Sequence, residues 1–204
     1  MPLIECSHQQ GHIAASLWSA NRLDLMDTPH LAWHLSGGTT ELLLVEPDGK
    51  NVNCTKIGGT SDISAGQLID RTGQLLELPF PAGKHLDKLS ENAVNTDFYS
   101  VKCAQSTFSL SGIQNKVAAY FSSGNSREET AAFALRCICN AVRKATVNAM
   151  KEYHDLPVVF SGGVASNSML RTALKELNPI FSEPQYSTDN AMGVAVLAHR
   201  LQEG

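Results

Sequence analysis

The sequence predicts an α/β fold in which a mixed sheet is flanked by helices, and two connections indicate it. The apolar run Val158 to Phe160 stops at Ser-Gly-Gly and is followed by apolar residues at helical spacing, the pattern of a strand, a tight turn and a helix. An earlier apolar run, residues 31–35, also ends in Ser-Gly-Gly, but a second apolar run, residues 42–45, follows it. That second pattern is typical of a hairpin.

The two Ser-Gly-Gly turns predict one site that is held from two sides. Each turn leaves a strand, and glycine allows the close backbone approach or positive φ that a ligand-binding turn needs. A helix that follows such a turn directs its backbone amides and positive end towards a bound anion. The alternative is that Gly-Gly pairs only form turns. Asn167, five residues after Gly162, favours the site.

The composition suits a globular protein of 204 residues, since 43% of them are apolar. The formal net charge of −4 excludes the strongly basic surface that an independent nucleic-acid binder usually has. If the protein meets RNA, we expect other proteins to assist it.

The five cysteines are scattered and form no Cys-x-x-Cys pair, which favours reduced thiols over a disulfide framework or a zinc knuckle. No run reaches the roughly 18 apolar residues that a membrane-spanning helix requires, and no secretory leader pattern opens the chain. These observations predict a soluble cytoplasmic protein.

The first predicted element is a helix with Ser7 near its cap. It carries His8 and His12 on one face, and histidines at this spacing can ligate one metal ion. Two ligands do not make a site, and a pair of partly exposed histidines is the alternative. Gly11 costs this helix about 1 kcal/mol relative to alanine, so we expect a close neighbour above it.

The middle of the chain predicts a hairpin around residues 47–50, followed by a helical pattern from Ile63 to near Pro79. Asp70 lies on that pattern, either on a solvated face or in a site. Three further segments have less distinct sequence patterns: a helix at about 84–92, a weaker strand near 98–103 and a helix at 113–121.

The last third predicts a long core helix over about 127–153 and then the strand that begins at Val158. A final helix, 191–201, follows Thr188 and Asp189. Either residue can cap it, and the Asp189 carboxylate is also able to provide the third metal ligand that the histidine pair lacks.

Seven short motifs, in order, resemble those of the glycoprotease family, the TsaD-like tRNA threonylcarbamoyladenosine transferases formerly called O-sialoglycoprotein endopeptidases. They extend over nearly the whole chain, from His8 to about His199. They are Ser-His-x-x-Gly-His, Ser-Gly-Gly-x-Thr, Asp-x-x-x-Gly-x-x-x-Asp, Pro-x-Gly, Phe-Ser-x-Ser-Gly, Gly-Gly-Val-x-x-Asn and Ser-Thr-Asp-Asn.

The resemblance implies the fold of the actin, sugar-kinase and heat-shock ATPase (ASKHA) superfamily, with nucleotide in a cleft between two lobes. It also implies two groups of site residues. The metal ligands implied are His8, His12 and Asp189, with His34 hypothesised as a fourth. The residues implied for the adenine nucleotide are His34, Leu35, Ser36, Gly37, Gly38, Asp70, Gly83, Gly162, Gly163 and Asn167.

The implied activity is transfer of threonylcarbamoyl from its adenylate to the adenosine 3′ of the tRNA anticodon. Its cofactors are one divalent metal, iron or zinc, and an adenine nucleotide, either threonylcarbamoyl-adenylate or an ATP-like molecule. The partners implied are tRNA, reached through other proteins, and a paralogous subunit or a second copy; no membrane partner is expected. The alternatives are a non-catalytic nucleotide-binding scaffold and the historical metallopeptidase. The peptidase signature requires Glu after its first histidine, where this chain has Gln9.

The resemblance also divides the chain. Residues 1–30 are expected to be a remnant of the first lobe that carries the histidine helix, most of that lobe being missing. Residues 31–204 are expected to form the second lobe, with a helical insert at about 61–125 and a C-terminal helix. Four positions depart from the family pattern: Gln10 replaces Glu, Thr39 replaces His, Arg71 replaces Lys and Ala82 replaces Gly.

Overall fold

The computed structural model describes residues 5–154, 156–186 and 191–202, and within them the chain forms one mixed sheet. Its strands are β1 His30–Leu35, β2 Thr40–Asp48, β3 Asn51–Thr60, β4 Cys103–Ala104, β5 Thr107–Phe108, β6 Val158–Ser161 and β7 Ile180–Phe181. Their order is β4-β5-β3-β2-β1-β6-β7. β1, β2 and β3 form an antiparallel meander, whereas β6 lies parallel to both β1 and β7. The predicted mixed sheet is therefore confirmed.

Helices cover both faces of this sheet. They are α1 His8–Ser19, α2 Ala65–Leu75, α3 Gly83–Ser90, α4 Ser111–Ser122, α5 Arg127–Glu152, α6 Ser168–Leu174 and α7 Ala191–Gln202. The long helix α5 packs with α2, α3, α4 and α6 on one side, whereas α1 and α7 pack on the other. No helix among the described residues has the length and hydropathy to cross a bilayer.

The two faces of the sheet follow from the alternation of side chains along β1. Leu31, Trp33 and Leu35 belong to the core cluster beneath α5, while Ala32 belongs to the cluster beneath α1. The buried indole of Trp33 donates a hydrogen bond to Thr146 Oγ1 on α5 at 2.9 Å, so its one polar atom is satisfied. The sheet is thus fixed to both helical layers at the strand that leads into the first Ser-Gly-Gly turn.

The start of α1 is held by a capping box. Ser7 Oγ accepts from the Gln10 backbone N–H at 3.2 Å, and Gln10 Oε1 accepts from the Ser7 N–H at 2.7 Å. Gln10 Nε2 also donates to the Val52 carbonyl at 2.7 Å. A glutamate could complete the box but not donate this third bond. The departure at residue 10 therefore has a structural reason, because the amide joins α1 to β3.

Gly11 is the place where α7 crosses α1, which confirms that a neighbour requires the space above it. A Cβ at Gly193 of α7 would overlap the Gly11 carbonyl oxygen and press on Ala15. Two glycines facing each other bring the helix axes close together at the level of the histidines. The beginning of α7 therefore lies beside the His8–His12 turn of α1.

The predicted strand near 98–103 is wrong except at Cys103, the first residue of β4. Side chains of α5 accept the hydrogen bonds that a neighbouring strand would otherwise accept. The Val94 N–H donates to Glu129 Oε1 at 2.8 Å and the Val101 N–H donates to Asn140 Oδ1 at 3.2 Å. Residues 91–102 therefore run along α5 as an extended connector.

Asp62, just before α2, joins the end of β3 to the start of α4. Its carboxylate accepts from Ser109 Oγ at 2.5 Å, from Ser111 Oγ at 2.7 Å and from the Leu110 N–H at 2.8 Å. Burial would raise the pKa of Asp62, but these hydrogen bonds outweigh it and hold that pKa well below the usual range. The Phe-Ser-x-Ser-Gly motif thus places a permanent carboxylate under the first turn of α4.

Candidate functional site

The structure brings the two Ser-Gly-Gly turns side by side. β1 and β6 are parallel neighbours in which His34 lies opposite Ser161, so both strands end at the same edge of the sheet. The first turn, residues 36–38, leads into β2, and the second begins at Ser161. The expectation of one site held from two sides agrees with this placement.

The first turn presents unoccupied backbone amides. The Ser36 N–H donates to the Thr39 carbonyl at 2.8 Å, and Ser36 Oγ accepts from the Thr39 N–H at 3.0 Å, which closes the turn. Between them Gly37 and Gly38 are exposed, and a Cβ at either position would meet open space. Their N–H groups have no acceptor among the described residues, so they are available to an anion.

The two glycines of the second turn, Gly162 and Gly163, have different structural roles. Gly162 has φ +91°, and a Cβ there would overlap the Leu35 carbonyl oxygen, so this glycine allows the two strand ends to touch. Leu35 itself is fully buried and offers only its backbone. A Cβ at Gly163 would meet nothing within 4 Å. Gly163 is therefore the position of this turn with space beside it.

The predicted order of strand, tight turn and helix after Val158 is confirmed. A 3-10 turn, Gly163–Ser166, intervenes, and α6 begins only at Ser168. Asn167 Oδ1 caps α6 by accepting from the Leu170 N–H at 2.9 Å. Because that amide is already satisfied, the start of α6 does not provide the anion-binding end that the sequence indicated. Asn167 is 8% exposed, and only its Nδ2 amide remains for a ligand.

Helix α2 packs against the first turn and connects it to Asp70 and Gly83. A Cβ at Gly66 would overlap Gly37, and Ser64 Oγ donates to the Gly37 carbonyl at 2.6 Å. Further along α2, Asp70 Oδ1 accepts from the Ala82 N–H at 2.9 Å. Asp70 therefore positions the residue before Gly83, where α3 begins without a side-chain cap and with open space beside it. The first amides of α3 are thus available to a ligand.

Asp87 is a positioning residue that the sequence did not indicate. Its Oδ2 accepts from the Ser168 N–H and its Oδ1 from Ser168 Oγ, both at 2.9 Å. It lies one turn after Gly83, and Ser168 follows Asn167, so Asp87 fixes the start of α3 against the start of α6. No local pattern could reveal this contact, because its partner lies 81 residues away in the chain.

The helix α1 brings its two histidines to ligating distance. His8 Nε2 and His12 Nε2 are 3.0 Å apart, with ring planes at 88°. Metal–nitrogen bonds of about 2.0–2.1 Å place two neighbouring ligands of one ion roughly 3.0–3.4 Å apart. The pair therefore fits two positions on one divalent ion.

His34, at the end of β1, joins the histidine pair to the turns. Its ring centroid lies 4.8 Å from that of His12, and its Nδ1 lies 3.4 Å from Ser161 Oγ. Since Ser161 Oγ gives its own hydrogen to the Trp33 carbonyl at 2.9 Å, Nδ1 is the donor towards Ser161 and Nε2 carries the lone pair. Burial, with the charges of His12 and His8 nearby, lowers the pKa of His34 to about 4.

The remaining predicted ligand, Asp189, lies outside the described residues. Among those described, no three His, Cys, Asp or Glu side chains are arranged to hold one metal ion. His8 and His12 are the pair whose geometry fits, and the role of His34 as a ligand stays a prediction. Residue 191, the first of α7, follows the Asp189 segment and lies near this end of α1 because of the Gly11–Gly193 contact.

The comparisons with known proteins match this chain over most of its length. The family described as TsaD, tRNA N6-adenosine threonylcarbamoyltransferase, matches residues 1–196. Proteins of that name from Carboxydothermus hydrogenoformans and Thermosipho africanus are 32% and 30% identical and match 100% and 98% of this chain. The one from Geobacillus thermodenitrificans is 34% identical over 86% of the chain. The chain spans 63%, 63% and 52% of these three relatives.

Solved structures confirm the ATPase-like fold. Full-length HypF in its phosphate- and nucleotide-bound form has a TM-score of 0.77 at 16% identity and covers all of this chain, which covers 44% of HypF. The Clostridium difficile activator of 2-hydroxyisocaproyl-CoA dehydratase, with bound ADPNP, has a TM-score of 0.58 at 18% identity. It covers 97% of this chain, which covers 68% of it. At these identities the likeness concerns the fold, a mixed sheet flanked by helices.

Proposed function

The chain belongs to the TsaD family of tRNA N6-adenosine threonylcarbamoyltransferases, and on that premise we propose that it transfers threonylcarbamoyl from its adenylate to the adenosine 3′ of the tRNA anticodon. The observation that carries the proposal is the meeting of two Ser-Gly-Gly turns at one sheet edge beside a histidine pair. The relatives with this name support the reaction class.

The adenylate is proposed to lie across the two turns. Gly37, Gly38 and Gly163 have open space beside their Cα atoms, and their amides have no acceptor among the described residues, so they suit phosphate or acyl oxygens. Asp70 is proposed to accept from a ribose hydroxyl through the oxygen that does not bind Ala82, and Asn167 to donate from Nδ2. The two similar structures each hold a nucleotide, which supports a nucleotide ligand for this fold.

The metal is proposed to be held by His8 and His12, with Asp189 as the third ligand and His34 as the fourth. Imidazole ligands with a carboxylate suit either iron or zinc. A divalent ion bound there would polarise the acyl donor as a Lewis acid.

The transfer step is an acyl substitution at the threonylcarbamoyl carbonyl. The exocyclic amine nitrogen of the adenosine forms the new C–N bond, and the bond from the carbonyl carbon to the phosphate oxygen breaks. AMP leaves with that electron pair, and the amine loses one proton to solvent water. Amides of the turns stabilise the negative charge that develops on the carbonyl and phosphate oxygens.

A metallopeptidase role has the weaker support. The first turn of α1 contains no acidic residue, and Gln9 follows the first histidine, so this helix lacks the general base of the zinc-peptidase signature. The partners proposed are tRNA, met together with other proteins, and a paralogous subunit or a second copy of the chain, in the cytoplasm.

A transfer assay tests the proposed function. The purified chain is loaded with Fe²⁺ or Zn²⁺ and given threonylcarbamoyl-adenylate and tRNA, and the nucleosides are then analysed by mass spectrometry. We expect threonylcarbamoyladenosine with the natural chain and a loss of at least tenfold with Gly163→Val, because the valine fills the space beside the free amides. If the chain bound the nucleotide but formed no product with either metal, the result would contradict transfer and favour a nucleotide-binding scaffold.

A further inference from the structure

The connector between α3 and β4, residues 91–102, carries an exposed aromatic surface. Phe98 is 50% exposed, Tyr99 38% and Val94 88%. These are three of the six exposed large apolar side chains in the described part of the chain, so apolar exposure is concentrated here. Exposed apolar side chains that cluster in this way mark a contact surface.

The connector is held rigidly although its side chains are exposed. Glu129 accepts from the Val94 and Asn95 amides at 2.8 and 3.1 Å, and Cys137 Sγ accepts from the Tyr99 N–H at 3.2 Å. The backbone is thus fixed to α5 while both aromatic rings remain accessible. A prearranged surface loses little conformational entropy when it binds a partner.

Four cations lie on or against the connector, and one of them lies over the Tyr99 ring. Lys116 Nζ lies 4.0 Å from the centre of the Tyr99 ring, and Lys144 Nζ donates to Ser100 Oγ at 2.6 Å. Arg136 donates to the Asp97 carbonyl at 3.4 Å, and Lys102 is exposed on the connector. The basic-aromatic patch is formed by these side chains: Phe98, Tyr99, Lys102, Lys116, Arg136 and Lys144.

These cations are not neutralised by the acids near them. Within the described residues none of the four forms an ion pair with a carboxylate. Two carboxylates beside the connector, Asp97 and Glu129, keep their charge and accept from Tyr120 Oη at 3.1 Å and from the connector amides. Because the four cations outnumber these two carboxylates, the patch has a positive charge balance on a chain whose net charge is −4.

We propose that the basic-aromatic patch binds RNA, namely the unpaired anticodon loop of the tRNA substrate. Unpaired bases stack on exposed aromatic rings, and Lys and Arg contact the phosphates between them. Lysine is depleted in protein–protein interfaces, so the composition favours RNA over a protein partner. This inference rests on the tRNA substrate of the proposed function.

The position of the patch suits that role. Helix α3 begins at Gly83 beside the open turns and ends at Ser90, where the connector begins. The eight residues of α3 span about 12 Å. The connector therefore begins about that distance from Gly83, and an RNA loop on the patch would follow the connector and α3 towards the open turns.

The test measures binding of a fluorescent anticodon stem-loop RNA to the full chain over a series of salt concentrations. Phe98→Ala with Tyr99→Ala is expected to weaken binding at least tenfold. Lys102→Ala with Lys116→Ala is expected to reduce the slope of log K against log salt by about 1.4 to 1.8. Lys151→Ala with Lys175→Ala, which removes two exposed lysines elsewhere, is the matched control and is expected to retain the affinity and the slope.

Unchanged RNA affinity in both patch variants would overturn the proposal, as would absence of RNA binding by the natural chain at low salt. If the patch variants bound RNA as the natural chain does but changed its self-association in sedimentation experiments, the patch would be a protein-binding surface. That result would also overturn the proposal. If the double alanine variant unfolds, Tyr99→Leu replaces it in the RNA test, because leucine keeps the apolar bulk of the side chain without its ring.

Adenine-nucleotide binding is measured on the same variants and is expected to stay unchanged. Loss of RNA binding alone then tests the patch, and failure of nucleotide binding in the natural chain counts against the proposed function.

Discussion

Replacement of Gly162 by valine is expected to lower the free energy of unfolding by at least about 3 kcal/mol. A β-branched residue at φ +91° is strained, and its Cβ would overlap the Leu35 carbonyl where β1 and β6 end. The overlap involves backbone on both sides, so no side-chain rotation relieves it. The measurement is urea unfolding followed by circular dichroism.

The matched control is Gly163→Ala in the same turn. Its Cβ meets nothing within 4 Å, so its free energy of unfolding is expected to change by less than about 0.5 kcal/mol. If Gly162→Val unfolded at the same urea concentration as Gly163→Ala, the close approach of the two strand ends would be refuted.

The double substitution His8→Ala with His12→Ala is expected to abolish stoichiometric metal binding, with a loss of affinity of at least about 100-fold. Loss of the groups that support metal ligands already costs 10–100-fold, and here two ligands themselves are removed. Ser7 still caps α1 and Gly11 still faces α7, so the helix is expected to stay folded. Metal content is measured by mass spectrometry after dialysis against Fe²⁺ or Zn²⁺.

His154→Ala is the control for this pair, because His154 is exposed beyond the end of α5, far along the chain from α1. It is expected to bind as much metal as the natural chain. Equal metal content in the double variant would show that the 3.0 Å histidine pair is only a hydrogen-bonded pair.

The long periodic elements could be predicted from sequence because their signals are local. The helical spacing of α5, the Ser7 cap of α1 and the turn of the β2–β3 hairpin each depend on residues close together in the chain. The two Ser-Gly-Gly turns could be found in the same way, and the parallel pairing of β1 with β6 places them together.

The features that the sequence missed depend on distant partners. The strand predicted near 98–103 is replaced by a connector because Glu129 and Asn140 of α5 bind its amides. The Ser168 amide at the start of α6 is satisfied by Asp87, which is 81 residues away in the chain. Periodicity carries no information about such contacts. Glycines predicted such contacts only in part. Gly11 indicated that another segment lies close to α1, but the sequence did not indicate that this segment is α7 at Gly193.

Equilibrium titration with AMP and a non-hydrolysable ATP analogue tests the central claim most directly, namely that the two Ser-Gly-Gly turns form one adenine-nucleotide site. The natural chain is expected to bind one nucleotide, and Gly38→Val and Gly163→Val are each expected to weaken it at least tenfold, because both fill open space beside free amides. Gly112→Ala, in the first turn of α4 where the added Cβ meets nothing within 4 Å, is expected to leave affinity unchanged. Equal affinity in all four proteins would contradict the account and place the nucleotide elsewhere.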